Sequence, residues 1–157
     1  MPANYELDKL DYQILTQLQR DGRKPYLEIA RELLVSGGTI HQRIQKMEEA
    51  GVLRGFRASI DHARLGSTVT VMVGLHLKNA RDCEETLAKM EKFPEVVEAH
   101  FTTGNYSLMI KVATPTIQDY YAFLTGKLQA MNEIRATESF ICLASPLVRD
   151  VAIMKVK

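Results

Sequence analysis

Residues 25 to 51, PYLEIARELLVSGGTIHQRIQKMEEAG, read as two short helices joined by a tight turn. Pro25 suits the first turn of the leading helix, whose Leu27, Ile29, Ala30 and Leu33 are expected to face inward. The second helix opens on Ser36 as its N-cap, and apolar Ile40, Ile44 and Met47 recur at i, i+4 and i+7. That spacing pins one side to a core and leaves His41, Gln42, Gln45 and Lys46 on a polar side. Amide and imidazole groups can read base edges, whereas Arg43 and Lys46 suit phosphates. The pair is therefore a helix-turn-helix, and double-stranded DNA is its expected partner. A three-helix bundle without a ligand shares the apolar pattern, but the capping serine, the polar face and the basic segment that follows favour the DNA reader.

Upstream, Asp8 is an N-cap with Asp11 at the third helical position, and Leu10, Ile14, Leu15 and Leu18 predict a helix over residues 9 to 20. Downstream, Gly51 is a left-handed helix terminator. Val52, Leu53, Phe56, Ala58 and Ile60 then alternate with Gly55 and arginines, a pattern that predicts a short wing or connecting strand. Two positions depart from an ideal motif. Leu34 stands where such turns often place glycine, and Gly37-Gly38 lowers helix propensity in the first turn of the reading helix while letting backbone approach a phosphate.

Beyond Leu65-Gly66 the pattern changes. Residues 68 to 77, TVTVMVGLHL, predict a strand; residues 80 to 93 predict a helix with Leu87, Met90 and Phe93 inward. VVEAHFTT and YSLMIKVA flank Gly104-Asn105, a hairpin turn signal, and a helix over 116 to 131 and a strand over 134 to 144 complete the order βαββαβ. The predicted fold class is α+β, a winged helix-turn-helix domain followed by a ferredoxin-like βαββαβ sandwich. The expected boundaries are 1 to 56 for the DNA-binding domain, 57 to 66 for a linker strand, and 67 to 157 for a sensing and oligomerisation domain.

Composition limits the alternatives. A chain of 157 residues with 46% hydrophobic and 25% charged residues is ordinary for a soluble protein of one or two domains. No apolar run approaches membrane-spanning length and the N-terminus MPANYELDKLDY is polar and acidic, so no membrane partner and a cytoplasmic location are expected. Net charge is only +1, and residues 36 to 57 carry four basic side chains (Arg43, Lys46, Arg54, Arg57) against Glu48 and Glu49. So weak a positive charge makes useful DNA affinity depend on several copies binding together. Cys83 and Cys142 lack CxxC spacing and are expected to be buried, inert thiols. His41, His62, His76 and His100 lack metal-ligand spacing, and no GxSxG elbow, P-loop or dinucleotide fingerprint is present. No metal, no cofactor and no enzymatic activity are expected.

FTTGNYS, residues 101 to 107, is a tight hairpin turn on its plainest reading. Its functional reading is a small-molecule pocket, in which Gly104 removes side-chain bulk, backbone N–H groups bind a carboxylate, and Thr102, Thr103 and Ser107 add hydroxyls. In ATES, residues 136 to 139, Glu138 offers an acceptor for an ammonium group. Together the two segments are suited to the two ends of an amino acid.

The whole pattern resembles the Lrp/AsnC family, the feast/famine transcription regulators. The resemblance runs through LDKLDYQILTQLQRDGR, VSGGTIHQRIQKMEEAGVL, FTTGNYSLMIKV and IRATESFICL, and it is strongest toward the asparagine-responsive AsnC branch. It implies an N-terminal DNA-binding domain and a C-terminal domain that binds an amino acid at an interface between subunits, altering assembly or DNA affinity. It also implies a homodimer that assembles further, often into an octamer around which DNA can wrap. Carried over residue by residue, it marks Ser36, Gly37, Thr39, His41, Gln42, Arg43 and Lys46 for DNA, and Thr102, Thr103, Gly104, Asn105, Tyr106 and Ser107 with Thr137, Glu138 and Ser139 for the effector. Many relatives carry an Asp where this chain has Ser107. The change points to a polar effector, asparagine first, and removes one partner for the ligand's ammonium group. The alternative is an amino-acid-sensing module that acts on a protein partner without binding DNA.

Overall fold

The computed structural model describes residues 5–66 and 69–153. They form two compact units. One runs to Ser59 and is rejoined by the chain from Arg149 onward; the other spans Ile60–Val148. The terminal segment, expected in the sensing domain, thus belongs with the helices, where the Gln19 amide donates to the Val151 carbonyl at 2.8 Å.

In the helical unit, α1 spans Lys9–Arg20 because Asp8 caps it: its carboxylate accepts from the N–H groups of Leu10 (2.8 Å) and Asp11 (3.0 Å). The Asp11 carboxylate reaches back to the Asp8 N–H at 3.0 Å, which completes a reciprocal capping box. α2 spans Tyr26–Glu32, with Pro25 as its N-cap residue, and α3 spans Gly37–Glu49. Ile14, Leu18, Ile29, Ala30, Ile40, Ile44 and Met47 form one buried core, so the i, i+4, i+7 stripe of α3 lies where the spacing placed it. Leu27 does not: it is 66% exposed and lies beside Gly37 of the next helix. Gly51 follows α3 at φ 70°, as a left-handed terminator should.

Leu34 takes the left-handed conformation of the turn between α2 and α3, at φ 56°, and is 92% exposed. A side chain there contacts Cβ against carbonyl oxygen and gains no packing in return. Leu34→Gly is expected to raise the unfolding free energy of the helical unit by about 0.5–1 kcal/mol, the left-handed penalty less the entropic cost of glycine. Urea denaturation followed by circular dichroism measures this, and a lowered midpoint would contradict it.

The wing is not formed. Residues 52 to 61 carry no strand, and the expected linker strand over 57 to 66 gives way to a 3₁₀ turn at His62–Leu65. An extended run becomes a strand only with a ladder partner, and among the described residues this one has none; Gly55 at φ 102° also interrupts it.

The second unit holds β1 (Val69–Leu77), β2 (Val96–Phe101), β3 (Leu108–Thr114) and β4 (Ile134–Ile141), in the order β2-β3-β1-β4 with every neighbour antiparallel. α4 (Cys83–Met90) joins β1 to β2 and α5 (Ile117–Phe123) joins β3 to β4, giving the ferredoxin-like βαββαβ arrangement. A 3₁₀ turn at Ala80–Asp82 precedes α4, and one π turn at Leu124–Leu128 extends α5. Both helices cover the sheet face of Val71, Val73, Leu75, Leu108, Ile110 and Val112, with Met90, Tyr120, Phe123 and Leu128 as their contribution to the core. Alternation places Met72, Gly74, His76, Met109 and Phe140 on the opposite face. Thr68, expected in the first strand, lies outside the described residues; β4 stops at Ile141, short of residue 144. Cys83 and Cys142 are free and half-buried, more accessible than expected.

Candidate functional site

On α3, the core stripe leaves His41, Gln42, Gln45 and Lys46 exposed on the far side. Tyr26 of α2 stands with its ring centroid 6.1 Å from that of His41. Ser36 and Thr39, both expected at DNA, are engaged with each other: the Ser36 hydroxyl accepts the Thr39 N–H at 3.0 Å and lies 2.9 Å from the Thr39 hydroxyl. They hold the helix start. A Cβ on Gly37 would lie 2.8 Å from Leu27 Cδ2, so this glycine allows α2 and α3 to close together, whereas Gly38 is the exposed one of the pair.

Arg43 departs most from expectation. Its Nη1 donates to Asp8 Oδ2 at 2.6 Å and to Asp11 Oδ2 at 3.2 Å, while the Tyr5 hydroxyl donates to the same Asp11 oxygen at 3.0 Å. Asp11 is fully buried, so the guanidinium and the phenol together satisfy a carboxylate inside the helical unit. Hydrogen bonds to Tyr5 and Asp8 raise the Arg43 pKa further above its already high value. Asp8 is held below the usual carboxylate range, first by the Asp11 N–H it accepts and then by Arg43. Arg43 is a brace between α3 and α1, a role that its place on the polar side of α3 did not announce. Its partners lie 32 and 35 residues away, beyond any local pattern.

In the other unit, a cleft of about 470 Å³ is lined by Thr102, Gly104, Asn105, Tyr106 and Ser107, together with Ala80, Cys83, Glu84 and Phe101. The loop between β2 and β3 spans six residues, 102 to 107, in place of a two-residue turn at Gly104-Asn105, and Gly104 does not take a positive φ. The reason is Tyr106. Its ring lies across Gly74 so closely that a Cβ there would meet ring atoms at 2.5 Å, and it is flanked by His76 (centroids 5.2 Å apart) and Phe140 (6.4 Å). The Ser107 N–H pairs with the Leu75 carbonyl at 2.9 Å, and the Thr102 hydroxyl donates to the Tyr106 carbonyl, which closes the loop. The Tyr106 hydroxyl donates to Glu138; that bond raises the phenol's pKa and keeps it a donor.

Glu138 therefore reaches the cleft through Tyr106 and does not line it. Thr137 and Ser139, one residue to either side, fall on the helix-covered face: Ser139 shares a hydrogen bond with Tyr120 of α5, and Thr137 stands opposite Leu75. Neither lines the cleft, nor does Thr103. Glu84 is the carboxylate that sequence reasoning missed. It is exposed at the start of α4 and enters no ion pair or hydrogen bond among the described residues. The signal was the sheet order: β1 lies beside β3, so the helix entered from the end of β1 begins next to the loop that leads into β3.

Two family models match the chain: an AsnC-type helix-turn-helix domain over residues 7–48 and the Lrp/AsnC ligand binding domain over 68–151. The regulatory protein AsnC of Haemophilus influenzae is 44% identical over 147 residues, 94% of this chain and 98% of its own. The chain belongs to the Lrp/AsnC family. Among solved structures, AsnC of Escherichia coli superposes with a TM-score of 0.90 at 40% identity, covering 94% of this chain and 99% of its own. A transcriptional regulator from Neisseria meningitidis, solved as a complex with L-Met, shares the fold with a TM-score of 0.86 at 21% identity, over 92% of this chain and 94% of that one. This Lrp/AsnC protein is accordingly a transcription regulator with a DNA-binding helix-turn-helix and a ligand-binding domain, and it is not an enzyme. No helix among its described residues is long and apolar enough to cross a membrane.

Proposed function

We propose that this regulator binds DNA in a sequence-specific manner as a homo-oligomer and that a small amino acid, asparagine first, sets its assembly or its DNA affinity. The observation that carries the reading is the cleft at residues 102 to 107. It joins loop N–H groups and the Ser107 hydroxyl, suited to a carboxylate and an amide, to one carboxylate without a partner among the described residues, Glu84, suited to an ammonium group. Glu84 takes over what an aspartate at position 107 would have supplied. The helix-free sheet face of Met72, Met109 and Phe140 offers a second copy an apolar surface for dimerisation, from which larger assemblies such as an octamer can be built. A ligand can shift assembly only by binding one state more tightly than another.

On α3, His41 and Gln42 would contact bases and Lys46 a phosphate. The test uses Gly104→Val. A Cβ at Gly104 meets nothing within 4 Å and its backbone is not left-handed, so valine fills the cleft without disturbing the fold. Calorimetric titration with asparagine is expected to show at least a tenfold weaker response in this variant, with DNA binding of the unliganded protein retained in a mobility-shift assay. An unchanged asparagine isotherm would place the effector elsewhere.

A further inference from the structure

A cleft of about 1060 Å³ in the helical unit is lined by the end of α1 and the extended segment after Gly51, with no residue of α3 in its wall. Four arginines line it: Arg20 and Arg23 from the end of α1 and the turn beyond it, Arg54 and Arg57 from the extended segment. All four are exposed, and among the described residues none of their guanidinium groups enters an ion pair or a hydrogen bond. Asp21 and Asp150 also line the cleft, so four positive charges face two negative ones in a chain whose net charge is only +1. The segment is seated by Phe56, which lies over Gly22; a Cβ on that glycine would be 3.0 Å from the ring.

Unpaired, exposed guanidinium groups that line one concavity are a site for phosphate oxygens, to which Arg offers paired donors and a fixed charge. We infer that Arg20, Arg23, Arg54 and Arg57 form a second phosphate-binding surface that holds the DNA backbone beside the segment read by α3. The inference rests on the DNA-binding reading above. A duplex backbone is favoured over a free nucleotide for two reasons. The cleft belongs to the same compact unit as α3, and its two carboxylates repel a compact polyphosphate that fills it more than they repel phosphates spaced along a strand. The surface reads no bases, so it adds affinity to every sequence alike. It also gives a nearly neutral chain the electrostatic contribution that α3 alone lacks.

The experiment measures the salt dependence of binding to a selected operator and to a random duplex, for the wild type, Arg54→Gln/Arg57→Gln and Arg20→Gln/Arg23→Gln. Each lost phosphate contact reduces the slope of log K against log salt by about 0.9, so each double variant should lose about 1.8 per bound chain, roughly 60-fold in affinity at 0.1 M salt. The ratio between operator and random duplex should not change, nor should the melting temperature. A wild-type slope retained by both variants, with operator binding intact, overturns this inference and leaves the DNA-binding reading standing. A wild type that binds neither duplex at low salt overturns both. Inorganic tripolyphosphate, titrated in a thermal-shift assay without DNA, separates the sources: stabilisation lost in the variants, with unchanged DNA slopes, would make the cleft a free-phosphate site and overturn the backbone assignment.

Discussion

Gly74→Val is expected to abolish the amino-acid response and to destabilise the sensing unit by about 1–3 kcal/mol, the usual range for overpacking. Valine is a good strand former and Gly74 sits in mid-strand, so backbone preference does not oppose the change. The obstacle is the Tyr106 ring, which a new Cβ would approach to 2.5 Å. Tyr106 must then leave the sheet, losing its bond to Glu138 and its neighbours His76 and Phe140, and carrying with it the loop that lines the cleft. Calorimetry with asparagine and urea denaturation report the two effects. A double-mutant cycle isolates the cause: in a Tyr106→Ala background, Gly74→Val should cost less than about 0.5 kcal/mol, because the clash is gone. An equal cost in both backgrounds would show that something other than Tyr106 crowds position 74.

Arg43→Ala should be the most damaging change in the helical unit. It leaves the Asp11 carboxylate buried with only the Tyr5 hydroxyl and a backbone N–H for company. Breaking a fully buried pair costs about 3–5 kcal/mol; with the Arg43 side chain 32% exposed and water able to reach it, about 2–3 kcal/mol is expected. Asp11→Asn removes the orphaned charge and should restore part of the loss in the double variant. Unchanged denaturation together with weakened DNA binding would return Arg43 to the phosphate role its position on α3 first suggested. The brace also has an acid signature. The folded-state pKa of Asp8 is depressed, so its contribution is complete above the unfolded carboxylate pKa and disappears as pH falls through the lowered value. The first cause of that depression is the Asp11 N–H at the helix cap, so Arg43→Ala should weaken this acid dependence without removing it.

Much of the helical unit was legible because its determinants are local. Asp8 and Asp11 sit at capping-box spacing, Ile40, Ile44 and Met47 repeat with the helix, and Gly51 closes it, all within four residues or so of what they act on. Leu34 could be marked as unusual for the same reason, since a tight turn between two helices needs one left-handed residue wherever the chain places it. The ferredoxin-like order was legible too, as β-branched runs and amphipathic helices alternate clearly. The wing was not, because extended sequence is necessary for a strand and a partner is what makes one.

At the cleft the loop 102 to 107 was legible through its glycine and hydroxyls, but its company was not. Thr137, Glu138 and Ser139 are adjacent in sequence, yet the pleat sends the two hydroxyls to the covered face and the carboxylate to the open one. Glu84 reaches the cleft only because β1 and β3 are neighbours in the sheet. Local spacing by itself determined the helices, their caps, the polar face of α3 and the loop that lines the candidate cleft. Tertiary structure alone decided which side chains are engaged and which are free: Arg43 against buried Asp11, Tyr106 across Gly74, and four arginines around one cleft with no partner among the described residues. The physical reason is that a short-range rule sees a side chain's type and direction, whereas its electrostatic partner is chosen by packing between segments tens of residues apart.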